Sequence, residues 1–320
     1  MSKKQILGAF IAAFLFIIIG FSNVLTNSFV NYIFESLSSK TIEHDSTIPS
    51  KEYIGVVSVK GTILEDTNEG NLFANGNSYK HNETMNYIDE LINDTNNAGL
   101  ILYVDSPGGA VYESEELYHK LKEYKEVTGR EIWTYMSHYA ASGGYMISAL
   151  SDKIIANVNT ITGSIGVIMS GLDLTGLYDK LGIKEVNITT GSNKAGGFSE
   201  EQIAIYQSQA DEVHQRFLNI VSQERNIDIE ILKPLADGRT YTATQALNHG
   251  LIDEINSYEK MKEDFKEYLA VDLVYEKEFN VNNFEMFFSK LDSILPKSDS
   301  QVLAQLAKND NKGLWFYYAE

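Results

Sequence analysis

The 320-residue chain contains no cysteine. This removes every thiol nucleophile and thiolate metal site, and it fits a domain outside the reducing cytoplasm without requiring one. Positive charge is also scarce: 26 Lys and Arg stand against 44 Asp and Glu, a formal net charge of −18. Such an acidic chain argues against nucleic-acid binding and against a broad electrostatic attachment to anionic lipid. No Gly-x-x-x-x-Gly-Lys-Ser/Thr loop, no His-Glu-x-x-His helix, no metal-spaced cluster and no internal repeat occurs, so the common phosphate-loop and zinc chemistries have no carrier.

Long hydrophobic runs are confined to one place. Lys3 and Lys4 precede Ile6–Phe21, sixteen residues without a charge, and the run extends to Leu25. A membrane helix needs about 20 such residues. The segment after it, Ser22 to Phe29, offers a poor small-x-small cleavage site, so residues 6–25 read as an uncleaved anchor rather than a removed signal. The two lysines place residues 1–5 in the cytoplasm and the remainder outside it. Residues 26–51 are polar and mixed and read as a tether.

From Tyr53 onward, strand and helix patterns alternate. Strand-like runs lie at 53–59, 99–105, 131–136, 153–158, 164–169 and 184–190, and helical patterns at 84–95, 112–125, 142–150 and 173–181. Alternation of this kind predicts an α/β fold of βαβ units on a mainly parallel sheet, with sites at the carboxyl ends of the strands. Ser199 to Arg225 reads as a long amphipathic helix with Ser199 as its N-cap.

Two of the strand ends carry chemistry. Ala140-Ala-Ser-Gly-Gly-Tyr145 sets a small hydroxyl, Ser142, where a strand turns into a helix. A serine there can be held out of the strand with its oxygen presented, and the amide of Gly143 can donate to an oxyanion. The same hexapeptide also suits a tight helix start where small residues allow close packing. Asp105-Ser-Pro-Gly-Gly109 follows another strand, and its Gly pair can turn the Gly109 amide toward a developing negative charge. Read alone, it is an ordinary strand-to-helix turn.

A serine nucleophile needs a base. The six histidines are His44, His81, His119, His138, His214 and His249. None stands in a loop at a strand end suited to that role; His138, four residues before Ser142, belongs to a stretch that already has a turn to make. Lysine is the other available base. Lys194 lies in Thr190-Gly-Ser-Asn-Lys-Ala-Gly-Gly-Phe198, among small uncharged residues that let it approach another backbone and lose water, which favours the neutral amine. The alternative is a solvated loop lysine.

These segments resemble the signal peptide peptidase A family, membrane-anchored serine/lysine peptidases of the ClpP/crotonase superfamily. Asp105 to Gly109, Ala140 to Tyr145, Thr160 to Val167, Gly191 to Lys194 and Ala236 to Tyr241 match in the family's order, over about residues 52–256. The intervals of 52 residues from Ser142 to Lys194 and 22 from Ser142 to Ser164 look like those of its short, single-repeat branch. The resemblance implies a ClpP/crotonase-like fold; the peptidase domain is expected over 52–269 and a C-terminal extension, which the resemblance covers poorly, over 270–320. It also implies Ser142 as nucleophile, Lys194 as general base, Ser164 as the hydroxyl orienting the lysine, and Gly109 and Gly143 as oxyanion donors. Neither cofactor nor metal is implied. The implied substrates are remnant signal peptides and other apolar peptides, and the implied assembly is a homo-oligomeric ring whose dyads draw on neighbouring protomers. One departure stands out: Ala195-Gly-Gly-Phe-Ser199 follows the lysine where many relatives have Asp or Ser and later Ser-Pro.

A crotonase-type acyl-thioester enzyme shares the sheet and the glycine donors but needs no serine, and the anchor counts against it. A non-catalytic membrane scaffold would have no use for both Ser142 and Lys194. Over 270–320, a strand-like run lies at 270–279 and helix patterns at 284–295 and 301–308. Trp315-Phe-Tyr-Tyr318 then sets four aromatics in a row, suited to docking on a partner subunit or to entering an apolar cleft.

Overall fold

The structure is a computed structural model that describes residues 48–65, 79–184, 186–277 and the backbone of 316–318. The anchor at 6–25, the helix patterns at 284–295 and 301–308 and most of the tether lie outside the described residues. Among the described residues no helix is long and apolar enough to cross a membrane.

Strand and helix alternate through most of the described chain. The strands are β1 (Tyr53–Lys60), β2 (Asn97–Ser106), β3 (Gly108–Ala110), β4 (Ile132–Ala141), β5 (Lys153–Ala156), β6 (Ile161–Gly163), β7 (Thr240–Thr242), β8 (Glu254–Ile255), β9 (Leu273–Glu276) and β10 (Phe316–Tyr318). The helices are α1 (His81–Asn93), α2 (Val111–Thr128), α3 (Gly143–Ala149), α4 (Thr175–Leu181), α5 (Glu200–Glu224), α6 (Ile229–Leu232), α7 (Ala243–Asn248) and α8 (Tyr258–Leu269). This is a mixed α/β fold. The main sheet runs β7-β6-β4-β2-β1-β9, with β5 beside β4 and β8 beside β5. Every pairing in it is parallel except β6–β7.

Parallel strands must be covered on both faces, and their sequences read as unbroken apolar runs for that reason. Leu100, Leu102 and Val104 of β2 pack with Leu117, Leu121 and Tyr124 of α2 and with Ile88 and Leu91 of α1 in the large core. On the opposite face Ile54, Val56, Ile101 and Trp133 meet Met261 and Phe265 of α8, with the rings of Trp133 and Phe265 stacked at 4.6 Å.

Helix α5 starts where its sequence predicts. Ser199 is the N-cap and its hydroxyl accepts from the Gln202 amide, with Glu200 and Glu201 in the first turn.

Two predicted strands are absent. Residues 164–169 do not form a strand: β6 ends at Gly163, where Gly163 and Ser164 both take positive φ and turn the chain out of the sheet. The described residues of 184–190 form no strand either. The antiparallel β7 already occupies the sheet edge beyond β6, so this β-prone stretch has no neighbour to pair with, and Ile188 is left 97% exposed.

Candidate active site

The carboxyl ends of β2, β4 and β6 converge. Ser106 pairs with Ala140, and Ala141 pairs with Gly163. Ser142, one residue past β4, has φ 54° and ψ −118°, a conformation that a residue with a Cβ seldom adopts. This is the strained strand-to-helix corner expected of a nucleophile. It is held from three sides. The Ser142 amide donates to the Gly163 carbonyl at 2.8 Å, and the Ser142 carbonyl accepts from the amides of Tyr145 and Met146. Gly144 lies so close to β2 that a Cβ there would stand 2.8 Å from the Ser106 carbonyl oxygen. The small residues therefore serve close packing and the corner together.

Ser142 is fully buried, and among the described residues its Oγ has no hydrogen-bond partner. A buried hydroxyl left unpaired costs about 1–3 kcal/mol, a cost that structural serines normally avoid. Gly143 is the first residue of α3, so the helix itself supplies no acceptor for its amide.

Strand β3 carries Gly109, the other residue expected to offer a backbone donor. The Ser106 hydroxyl accepts from the Gly108 amide at 3.1 Å, which fixes the turn into β3. The Gly108 carbonyl accepts from the Ile63 amide, and the Ala110 amide donates to the Ile63 carbonyl, both at 2.9 Å. Successive residues of a strand direct their backbone groups to opposite edges, so the Gly109 N–H and C=O face away from Ile63. The contact with Ile63 is too tight for any side chain: a Cβ on Gly109 would sit 1.9 Å from its carbonyl oxygen. Along the outward edge runs β10, antiparallel, with Tyr317 opposite Gly109 and Tyr318 opposite Gly108. Residues 316–318 of the aromatic segment thus form a strand with the backbone edge that carries the expected oxyanion donor.

Ser164 stands beside Ser142 on the next strand end. It is buried, has φ 49°, and its amide donates to the Arg239 carbonyl at 2.8 Å. The segment 236–241 braces this corner. The Gly238 amide donates to the Ile165 carbonyl, the Tyr241 hydroxyl to the Leu235 carbonyl, and the Tyr241 ring lies against Gly163. Hydrogen bonds from Arg239 hold the Asp237 carboxyl down to about 2, so the exposed pair stays charged across the working range.

Lys194 lies on the surface, in the turn at 191–195, whose described contacts are local: its amide donates to the Gly191 carbonyl. No hydrogen bond joins it to Ser142 within one chain. His138 is also disengaged from Ser142; its Nδ1 lies 2.8 Å from Asp105 Oδ2, and its side chain is 80% exposed. The sequence motifs at 105–109 and 160–167 contain Asp105, Ser106, Thr160 and Thr162 but assign their side chains no role, and these side chains hold the strand ends. Only contacts between strands reveal them, although Asp105 and Ser106 opened the glycine turn and were visible as turn formers.

Comparison with known proteins points the same way. Residues 125–272 match the model of peptidase family S49. A protein of Enterococcus faecium that bears the name signal peptide peptidase SppA is 38% identical over 242 residues, covering 74% of this chain and 70% of that one. Protease 4 of Haemophilus influenzae is 33% identical over 223 residues, 68% of this chain and 34% of its own length. The chloroplastic serine protease SPPA of Arabidopsis thaliana is 29% identical over 161 residues, 48% of this chain and 24% of that one.

Proposed function

Because this chain belongs to the signal peptide peptidase A family, within peptidase family S49, we propose that it is a membrane-anchored serine endopeptidase working through a Ser142–Lys194 dyad. The single observation that carries the reading is the Ser142 corner: a strained, buried serine with an unpaired hydroxyl, beside a strand edge that already accepts an antiparallel peptide strand. Peptide substrates bind in this way when a sheet edge is open, main chain to main chain.

The chemistry rests on this placement. A substrate strand on β3 brings its carbonyl to Ser142. Neutral Lys194 takes the Oγ proton as the Oγ–C bond forms. The Gly109 and Gly143 amides receive the negative oxygen of the tetrahedral intermediate. The lysine ammonium then gives its proton to the leaving amine as the C–N bond breaks, leaving an acyl-enzyme. Water attacks the ester, passes a proton to the same lysine, and Ser142 regains its hydrogen. Ser164 orients the lysine amine.

Lys194 reaches a serine only from a second copy in this reading. Around it, α4 buries none of its residues, and Leu172, Leu177, Leu181, Ile183, Val186 and Ile188 are all exposed. Uncovered apolar surface of this kind suits contact with a neighbouring protomer. The proposed assembly is a homo-oligomeric ring outside the cytoplasm, tethered by residues 6–25, that degrades remnant signal peptides and other apolar segments.

The test is cleavage of a signal-peptide substrate by the full chain and by Ser142→Ala. Loss of turnover by at least about 10³-fold is expected, because nucleophile and base act as a unit. Substantial turnover in that variant sinks the serine mechanism.

A further inference from the structure

Strand β4 carries two residues more than its neighbour just before the nucleophile, and one carboxylate holds them. Up to Val104 and Met136 the β2–β4 ladder advances one residue for one. The next pair is Ser106 with Ala140, so a single residue of β2, Asp105, is matched by three of β4: Ser137, His138 and Tyr139. Such a bulge re-aims the residues after it. In an unbroken register Ser106 would face His138; with the bulge it faces Ala140, two residues nearer to Ser142. Two residues of strand amount to about 7 Å, far more than a catalytic site tolerates.

Asp105 spans the bulge. Its Oδ1 accepts from the Tyr139 amide at 3.2 Å, its Oδ2 meets His138 Nδ1 at 2.8 Å, and its carbonyl accepts from the Gly61 amide at 2.9 Å. From the other side the Thr160 hydroxyl lies 2.9 Å from the Met136 carbonyl and 2.5 Å from that of Ser137. The Thr162 hydroxyl donates to the Ala140 carbonyl at 2.6 Å. The Tyr103 hydroxyl donates to Ser137 Oγ at 3.0 Å.

We propose that Asp105 is a positioning residue that clamps the 137–139 bulge and thereby sets the height of Ser142 against the Gly109 amide. This rests on Ser142 being the nucleophile. The main-chain bond to Tyr139 carries the effect. The His138 contact is an exposed pair, which contributes little.

The experiment compares the full-length wild type with Asp105→Ala, Asp105→Asn, His138→Ala and Ser142→Ala. Three quantities are read: the rate of fluorophosphonate labelling at Ser142, kcat and KM on an apolar peptide, and the Tm. Asp105→Ala should slow labelling and kcat by about 100-fold with KM changed less than about threefold. Asp105→Asn, whose amide oxygen still accepts from Tyr139, should recover to within about tenfold of wild type, and His138→Ala to within about threefold. Equal losses in the Ala and Asn variants that track a fall in Tm would overturn the proposal. So would an Asp105→Ala protein that labels at the wild-type rate. Should Asp105→Ala not fold, Thr160→Val removes the opposing pin and should slow labelling about tenfold; a wild-type rate there overturns the clamp. Wild-type labelling at another serine would defeat the nucleophile assignment and the clamp with it. Labelling at Ser142 that ignores Asp105 defeats the clamp alone.

Discussion

Ser142 and Lys194 sit in regions of opposite character. The corner around Ser142 is completed by one chain: sheet on one side, α3 on the other, with the Ser142 amide donating to the Gly163 carbonyl and the Tyr145 and Met146 amides donating to the Ser142 carbonyl, fixing a conformation that costs about 1–3 kcal/mol to hold. The stretch from Leu172 to Phe198, which carries Lys194, has exposed apolar side chains at Leu172, Leu177, Leu181, Ile183, Val186 and Ile188. A nucleophile must be held rigidly against strain, so its whole support comes from the core. A base delivered from a neighbour needs only a surface that the neighbour covers. If that contrast describes the enzyme, the serine half is preformed in every protomer and the lysine half is made by assembly.

The largest effect should come from the lysine half. Lys194→Ala should be as inactive as Ser142→Ala, and Lys194→Arg should not rescue it, since arginine keeps its proton at any working pH. Co-expressing Ser142→Ala with Lys194→Ala should restore activity, because random assembly from equal amounts leaves about a quarter of shared sites intact. Proven mixed oligomers without activity would mean that each chain builds its own dyad, and the contrast between the two halves would collapse.

How far each half was legible in the sequence obeys the same division. Buried apolar runs such as Leu100 to Val104 and the small residues around Ser142 declared the sheet and its corner, because burial and close packing leave a local signature. The Ser199 cap was legible for the same reason. Residues 164–169 and 184–190 misled, since β-branched residues state a preference for pairing but not whether a partner strand exists. The Asp105 clamp left no local trace either: it acts across strands, on residues about 30 positions away. That β10 would join β3 depended on an edge whose openness no local pattern records.

On the serine half, Gly109→Ala should rank next. Its Cβ would meet the Ile63 carbonyl at 1.9 Å, backbone against backbone, so β3 must move away from Ile63. A displaced oxyanion donor costs about 10²–10³-fold in kcat, and the strain should lower the Tm as well. An active, undiminished Gly109→Ala enzyme would remove β3 from the site. Ser164→Ala should be milder, about tenfold to a hundredfold in rate, because the hydroxyl only orients the amine. Its backbone bond to Arg239 survives the change, so stability should hold. A loss equal to that of Ser142→Ala would give Ser164 a larger part than orientation.

The smallest effect concerns the edge itself. Substrate and segment 316–318 compete for one strand edge if peptides bind along β3, for β10 lies opposite Gly109 and Gly108. A three-residue antiparallel pairing is short, and a two-stranded ribbon of that length is marginal on its own. The strand should therefore exchange with peptides rather than block them outright. Deleting residues 309–320 should raise turnover of short peptides a few-fold, chiefly by lowering KM, with the oligomer unchanged. A synthetic peptide of residues 311–320 added back should inhibit the shortened enzyme competitively. If the segment serves assembly instead, deletion should weaken the oligomer and lower activity at low protein concentration. Unchanged kinetics together with an unchanged oligomer would mean that the pairing with β3 neither guards the site nor builds the ring.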